Sequence, residues 1–336
     1  MLLKLKYNIM ELKQKIRNLI IFFGPFLEII LLPLTIISAI WMRYIRECGV
    51  ERMKLSKSMF NFIGVFPIKD HYYEPHFNFN KISGVLHSRF LPGIDINIEK
   101  QKDLLLKFNY TSELLNFSFN KISDEEFYFN NERFTVGDAE ILYSFIRYFK
   151  PNCIIEIGSG MSSLIASEAI KKNIKENEDF KIEHICIEPY PKTWLRKKND
   201  IILIEKKLED IDLSIFEKLK ENDILFIDST HMIKPKGDVL TEYLEIFPLL
   251  KPGVIIHIHD IFTPKNYPDD WILEKVTFWN EQYLVEAILS NSNNFEIMLL
   301  LNHLFNSERD LLESRCPALK NSFTKEPRSL WLKKLN

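Results

Sequence analysis

The sequence predicts an α/β fold: a Rossmann-like sheet with helices on both faces, preceded by an apolar N-terminal helical segment. Three observations carry this. After residue 150, short β-branched runs alternate with stretches of helical period, the pattern of a parallel sheet with crossover helices. Cys153 to Ala166 reads as a buried strand, a glycine turn and the start of a helix. The runs then end on acidic residues, where ligands of such sheets bind, beyond the carboxyl ends of the strands. Three regions are expected: a membrane-associated helical segment over 1–60, a linker or cap with helices over 61–130, and the sheet domain over 131–336.

Composition narrows the class. The formal net charge of −2 argues against a nucleic-acid partner, which calls for a basic excess. The four cysteines, Cys48, Cys153, Cys186 and Cys316, form no CxxC pair, so neither a zinc framework nor a disulfide scaffold is expected. With only 10 glycines in the chain, each one carries weight as a turn signal.

In chain order, 19–42 is almost continuously apolar, longer than the ~20 residues that span a bilayer. Pro25, Pro33 and Glu28 interrupt it, and basic residues flank it on both sides: Lys4, Lys6, Lys13, Lys15 and Arg17 before, Arg43, Arg46 and Arg52 after. Positive flanks favour the cytoplasmic side. The pattern predicts a hairpin bent between the prolines, seated on the cytoplasmic face of a membrane with the sheet domain in the cytoplasm. A single span is the alternative, and a buried helix of a soluble domain is the bland one. Next, Asp70 to His76 gathers aromatics, histidines and carboxylates between prolines, either a cap over a site or a packed loop. Helical periodicity covers 99–115 and 136–148.

In the sheet domain, strands are predicted at 153–157, 184–187, 201–204, 224–227 and 254–258, with two more at 295–301 and 329–332. Helices are predicted at 162–175, 191–198, 213–219, 238–247 and 278–290. At the strand ends stand Glu156 with Gly158, Glu188, Leu208 to Asp210, Asp228, and His259 with Asp260. No Walker sequence is present, and a phosphate site would want one. An acidic rim suits a ligand with ribose hydroxyls and a positive centre. Glu188 lies 30 residues after Gly158 and can accept from two hydroxyls.

Glu156-Ile157-Gly158-Ser159-Gly160, Ile187-Glu188, Phe226-Ile227-Asp228 and Leu250-Lys251-Pro252-Gly253-Val254 together resemble the class I S-adenosylmethionine-dependent methyltransferases. The likeness covers roughly 130–336. Ile227-Asp228-Ser229-Thr230-His231 and His259-Asp260-Ile261-Phe262 look like a bacterial branch of that family, some of whose members modify sugars or natural products. The resemblance implies a seven-stranded sheet and S-adenosylmethionine as cofactor. It implies that Glu156, Gly158, Ser159 and Gly160 approach the methionine portion, with Ser162 in place of a third glycine. Glu188 would hold the ribose, Leu208 and Glu209 would meet the adenine, and Asp228 would border the same site.

Methyl transfer aligns donor and acceptor and often removes a proton from the acceptor. His231 lies three residues past Asp228, beyond a strand end, and is the expected general base. Asp228 and Asp260 complete the expected catalytic set. Related O-methyltransferases hold a divalent cation with acids at these strand ends. Asp228, His231 and Asp260 approximate such a site, although Ile261 stands where a second consecutive acid would be. His257, on the face of its strand shared with His259, is read as structural. Residues 266–271 are expected over the pocket, and Trp279 to Tyr283 either bind the acceptor or pack. The expected activity is O-methylation of a sugar, glycan or other small-molecule hydroxyl. The alternatives are an NAD-dependent oxidoreductase, weakened by Ser163 at the last position of GxGxxG, and a non-catalytic membrane-anchored binding protein.

Overall fold

Leu2–Cys48 is one continuous 47-residue helix, α1, with Pro25 and Pro33 inside it. The expected hairpin does not form. A proline inside a helix removes one backbone hydrogen bond and crowds the preceding turn, whereas a reversal would leave four C=O groups at one new end and four N–H groups at the other without helical partners. The helix therefore runs through both prolines. Its Ile21–Cys48 stretch, 28 residues with a mean hydropathy of 2.1, is long and apolar enough to cross a membrane. A turn at 49–53 leads into a second helix, α2 (Lys54–Ile63), closed by Gly64 in the left-handed conformation.

This computed structural model is described for residues 2–69, 73–76, 88–322 and 325–336, so the expected cap residues Asp70, His71 and Tyr72 lie outside the described residues. The chain forms two units, Met1–Ser83 and Gly84–Asn336.

The second unit opens with α3 (Ile98–Lys107) and a short α4 (Thr111–Leu114) where one helix over 99–115 was expected. Phe108 leaves the helix with extended backbone angles and is buried against Phe145, ring centroids 5.3 Å apart. Burying that ring outweighs the local preference to continue the turn. Then follow α5 (Asp138–Phe149), β1 (Cys153–Ile157), α6 (Met161–Glu176), β2 (Glu183–Ile187), β3 (Ile202–Ile204) and β4 (Ile224–Ile227). Only 3-10 turns stand where helices over 191–198 and 213–219 were expected, at Leu195–Lys197 and Leu213–Lys218. The helix 238–249, α7, contains a π-helical turn at Glu242–Ile246. After it come β5 (Ile255–Ile258), α8 (Glu281–Asn291), β6 (Phe295–Leu300), three short helices between 301 and 320, and β7 (Leu330–Lys334).

The strands form one seven-stranded sheet in the order β3-β2-β1-β4-β5-β7-β6. The first five are parallel, and β7 inserts antiparallel between β5 and β6. Strand residues alternate between two cores, as the two-residue period requires. Ile154, Phe226 and Trp331 pack with α5 and α6, while Ile155, Ile157, Leu225 and Ile227 pack with α7 and the 213–219 turn. Both faces are covered, which is why the central strands read as unbroken apolar runs. The order reverses between β1 and β4, so the sheet has its crevice at the carboxyl ends of those strands.

Candidate active site

β1 ends at Ile157, and the chain turns at Gly158 with φ +81°. The Gly158 N–H donates to the Ile187 carbonyl at 3.0 Å, and Asp228 N donates to the Ile157 carbonyl at 2.9 Å. Gly158 is thus wedged between the ends of β2 and β4. A Cβ here would overlap the Asp228 carbonyl, so the left-handed angle and the close approach both demand glycine.

In front of this turn lies a cavity of about 390 Å³. Its walls include Gly158, Glu188, Leu208, Glu209 and Asp228, five of the residues expected at the cofactor. They come from four strand ends, those of β1, β2, β3 and β4, and the reversal of strand order brings them together. Glu188 follows β2, and its Oε1 accepts from the Tyr190 N–H at 2.8 Å, which fixes the carboxylate at the rim. Leu208 is buried in the 3-10 turn Leu208–Asp210 and supplies an apolar wall.

Glu156 and Ser162, expected at the cofactor, do not line this cavity. Glu156 alternates with Ile157 and points into the core beside α6. Its Oε2 accepts from Ser162 Oγ at 3.0 Å and Ser163 Oγ at 2.7 Å, and its Oε1 lies 2.6 Å from His184 Nε2. A buried carboxylate needs such partners, and these three satisfy it. Burial opposes charge on His184, but Cys186 and Glu156 hold its pKa well above the ordinary histidine value. Gly160 and Ser159 also sit off the cavity wall. Gly160 N–H donates to Ser163 Oγ at 3.2 Å, capping the start of α6, and Ser159 Oγ is buried with no hydrogen-bond partner among the described residues.

Beyond the ends of β4 and β5, His231, Asp228 and Asp260 do converge. His231 Nε2 is 3.3 Å from Asp228 Oδ1 and 3.5 Å from Asp260 Oδ2. His231 and Asp260 both adopt φ +58°, a strained conformation for residues with a Cβ. The far side of the imidazole is held by Glu281, whose Oε2 lies 2.7 Å from Nδ1, and Tyr243 donates to Glu281 Oε1 at 2.7 Å. Burial works against charge on His231, yet Asp228, Glu281 and Asp260 together raise its pKa well above the usual value. Asp228 moves the other way: burial opposes its charge, but His259 and His231 hold the carboxyl low. Asp228 also faces the 390 Å³ cavity, so one residue joins the glycine-turn crevice to the acid–histidine cluster.

Sequence reasoning missed the supporting residues. Glu281 lies in the 279–283 run that the sequence leaves as either acceptor-binding or packing, and nothing local in the chain links it to His231, 50 positions away. Arg328 was not singled out. Its Nε lies 2.6 Å from Asp260 Oδ1, and its guanidinium covers the Trp271 ring at 5.2 Å. Arg328 and Trp271 also line a second cavity of about 530 Å³ with Asn266, Tyr267, Pro268, Asp269 and Asp270, so the expected 266–271 loop borders a pocket. The helix starting at Glu281 packs rather than presents free groups: Gln282 Oε1 accepts from Phe262 N–H, and Asn280 Oδ1 from Ile233 N–H. His257 is buried against Phe226, rings 4.1 Å apart, with its pKa pushed down by burial and by His259.

Residues 155–261, from β1 through the end of β5, match the family model described as a methyltransferase domain. An uncharacterized protein of Archaeoglobus fulgidus is 36% identical over 176 residues, covering 48% of this chain and 76% of its own length. Residues 155–261 thus form a methyltransferase domain. Among solved structures, the O-methyltransferase from Bacillus cereus in complex with SAH is 11% identical, with a TM-score of 0.34, covering 76% of this chain and 96% of its own. The cofactor-bound Rv0187 from MTB is 10% identical, with a TM-score of 0.34, covering 77% and 98%. The matched segment of the methyltransferase contains Gly158, Glu188, Leu208, Glu209, Asp228, His231 and Asp260. It stops short of Glu281 and Arg328.

Proposed function

We propose that this methyltransferase transfers a methyl group from S-adenosylmethionine to a hydroxyl of a small molecule, sugar or glycan. The observation that carries the reading is the cavity at the switch point, in which a glycine turn, the Glu188 carboxylate, an apolar wall at Leu208 and the Asp228 carboxylate face one space. Glu188 suits the ribose hydroxyls as an acceptor, Leu208 and Glu209 suit the adenine, and the carboxylates of Glu188, Glu209, Asp228 and Asp238, which outnumber Lys207 and Lys234 on the wall, favour a sulfonium over a phosphate-bearing ligand. In the transfer, the acceptor oxygen attacks the methyl carbon, the carbon–sulfur bond breaks toward a thioether, and the hydroxyl proton leaves.

Asp228, His231 and Asp260 stand where that proton is released. His231 takes it only as the neutral imidazole, a state that its three carboxylate neighbours oppose and that a cation at Nε2 would favour. The same three residues fit a divalent cation. One ligand atom from each lies within 4.8 Å of the others, and Glu281 holds the remaining His231 nitrogen, the outer support that metal-bound histidines commonly have. Bound there, a cation would lower the pKa of an acceptor hydroxyl. The cavity beside Arg328 and Trp271 is the space we assign to the acceptor. For the first unit we propose membrane association through 19–42 at the cytoplasmic face.

Calorimetry with S-adenosylmethionine, S-adenosylhomocysteine and NAD tests the cofactor. Binding of both sulfur ligands is expected, and soundly folded protein that binds neither overturns the reading. His231→Ala should lower turnover by about 10²–10⁴-fold with S-adenosylhomocysteine affinity within about threefold of the parent. Unchanged turnover removes His231 as base. Transfer of labelled methyl groups to a panel of hydroxyl acceptors, with and without a chelator, identifies the acceptor class and the need for a cation.

A further inference from the structure

The helix α2 is unlike the other short helices, in that none of its residues is buried. Its sequence, Lys-Leu-Ser-Lys-Ser-Met-Phe-Asn-Phe-Ile, places Leu55, Met59, Phe62 and Ile63 at i, i+4, i+7 and i+8, on one face. These four side chains are 86%, 53%, 85% and 67% exposed. Lys54, Lys57, Ser58 and Asn61 occupy the opposite arc. The apolar character continues past the helix, where Val65 and Phe66 are also exposed. An apolar face of this kind is not left to water in a stable fold.

The chain on the N-terminal side says what covers it. The span-length stretch of α1 ends at Cys48 with Arg43 and Arg46 in its last turns, the basic residues that mark a bilayer boundary. Only the turn 49–53 separates that boundary from α2. A short amphipathic helix with lysines on its polar arc, starting within a few residues of a span, has the make-up of a helix that lies in the headgroup layer. The lysines suit anionic headgroups. The apolar face is the same medium's partner as the apolar span.

We propose that α2 is an interfacial helix that lies along an anionic phospholipid surface with Leu55, Met59, Phe62 and Ile63 immersed in it. The proposal rests on the membrane reading of the first unit, and its consequence is a second attachment. Where α1 alone leaves the following chain free to swing, α2 holds residues 54–66 down on the lipid surface.

The test uses the full chain in vesicles of phosphatidylcholine and phosphatidylglycerol. In a Cys48→Ser background, Met59→Cys and Asn61→Cys variants carry an environment-sensitive dye on opposite faces of α2. Lipids with a nitroxide near the headgroup end of the acyl chain serve as quencher. The expected result is a blue-shifted dye at position 59, quenched several-fold more than the dye at position 61, with the contrast reduced in vesicles of phosphatidylcholine alone. If the chain floats with the vesicles but neither dye is quenched, or both are quenched equally, α2 is not interfacial and the membrane reading survives without it. A blue shift at position 59 without quenching by lipid assigns the face to a second copy of the chain and overturns the proposal. If the chain does not float with vesicles, the membrane reading itself fails. An undiminished contrast in phosphatidylcholine alone overturns the anionic preference.

Discussion

Gly158 and Glu188 meet the same cavity for different physical reasons, and they predict different kinds of loss. Gly158 is a backbone position: φ +81° and the Asp228 carbonyl leave no room for a side chain. Gly158→Ala should cost about 1–3 kcal/mol of stability and weaken S-adenosylhomocysteine binding by at least about tenfold, read by denaturant titration and calorimetry. Glu188 is a side-chain position at a rim, held by Tyr190 N–H. Glu188→Ala should leave the fold intact and cost cofactor affinity about 1.5–3 kcal/mol, as for a hydrogen bond to a charged group. Turnover at saturating cofactor should stay within about threefold; a collapse of turnover with unchanged affinity would remove Glu188 from the cofactor site. Both residues were legible in the sequence, because a strand followed by glycine, and a strand followed by an acid, are local signals. Glu156 was not: its place at a strand end is the same local signal, but the two-residue alternation turns it inward, onto Ser162, Ser163 and His184.

At the scale of elements, that inward turn ties three pieces together. Glu156 on β1 bonds the first turn of α6 through two hydroxyls and β2 through His184. The cavity wall at Gly158 lies two residues farther along, so the Glu156 network fixes the strand–turn–helix that the cavity depends on. Glu156→Ala leaves a buried imidazole and two buried hydroxyls without their acceptor and should destabilise the protein by about 3–5 kcal/mol. The His184→Ala loss should overlap with it. A double variant whose loss equals the sum of the two would show that the pair is not coupled. The strands follow the sequence closely, and the departures come among the helices. A helix over 99–115 breaks because Phe108 finds a better partner in Phe145, and α1 stays whole because a proline costs a helix less than a reversal would.

At the scale of the whole molecule, the second unit is joined across long sequence distances by buried carboxylates. Glu140, on α5, accepts from Gly137 N–H at 2.9 Å and from Ala318 and Leu319 N–H at 2.7 and 3.1 Å. Burial pushes its pKa up to about 7, against the pull of those N–H groups. A carboxyl whose folded pKa is raised favours the fold while protonated, so its contribution is present below the unfolded pKa and declines between about pH 4.5 and 7. A shift of that size amounts to roughly 3 kcal/mol. Glu140→Gln removes the titration and weakens the bonds, so the stability gap between parent and variant should narrow as pH rises from 5 to 8. Denaturant titrations across that range check it, and a constant or widening gap would contradict the assignment.

The sequence by itself determined the sheet class, the order of its elements, and the strand-end residues Gly158, Glu188, Leu208, Glu209 and Asp228, because apolar period, glycine turns and strand-end acids are written within a few residues of one another. Tertiary structure decided which strand-end groups share a space. Strand order set Asp228 between the glycine turn and His231, and packing of α8 against one face of the sheet delivered Glu281 to the imidazole from 50 residues away. Arg328, 68 residues past Asp260, reached that carboxylate only because β7 inserts antiparallel between β5 and β6. Contacts of that length depend on how the sheet closes, and no local run of residues encodes them.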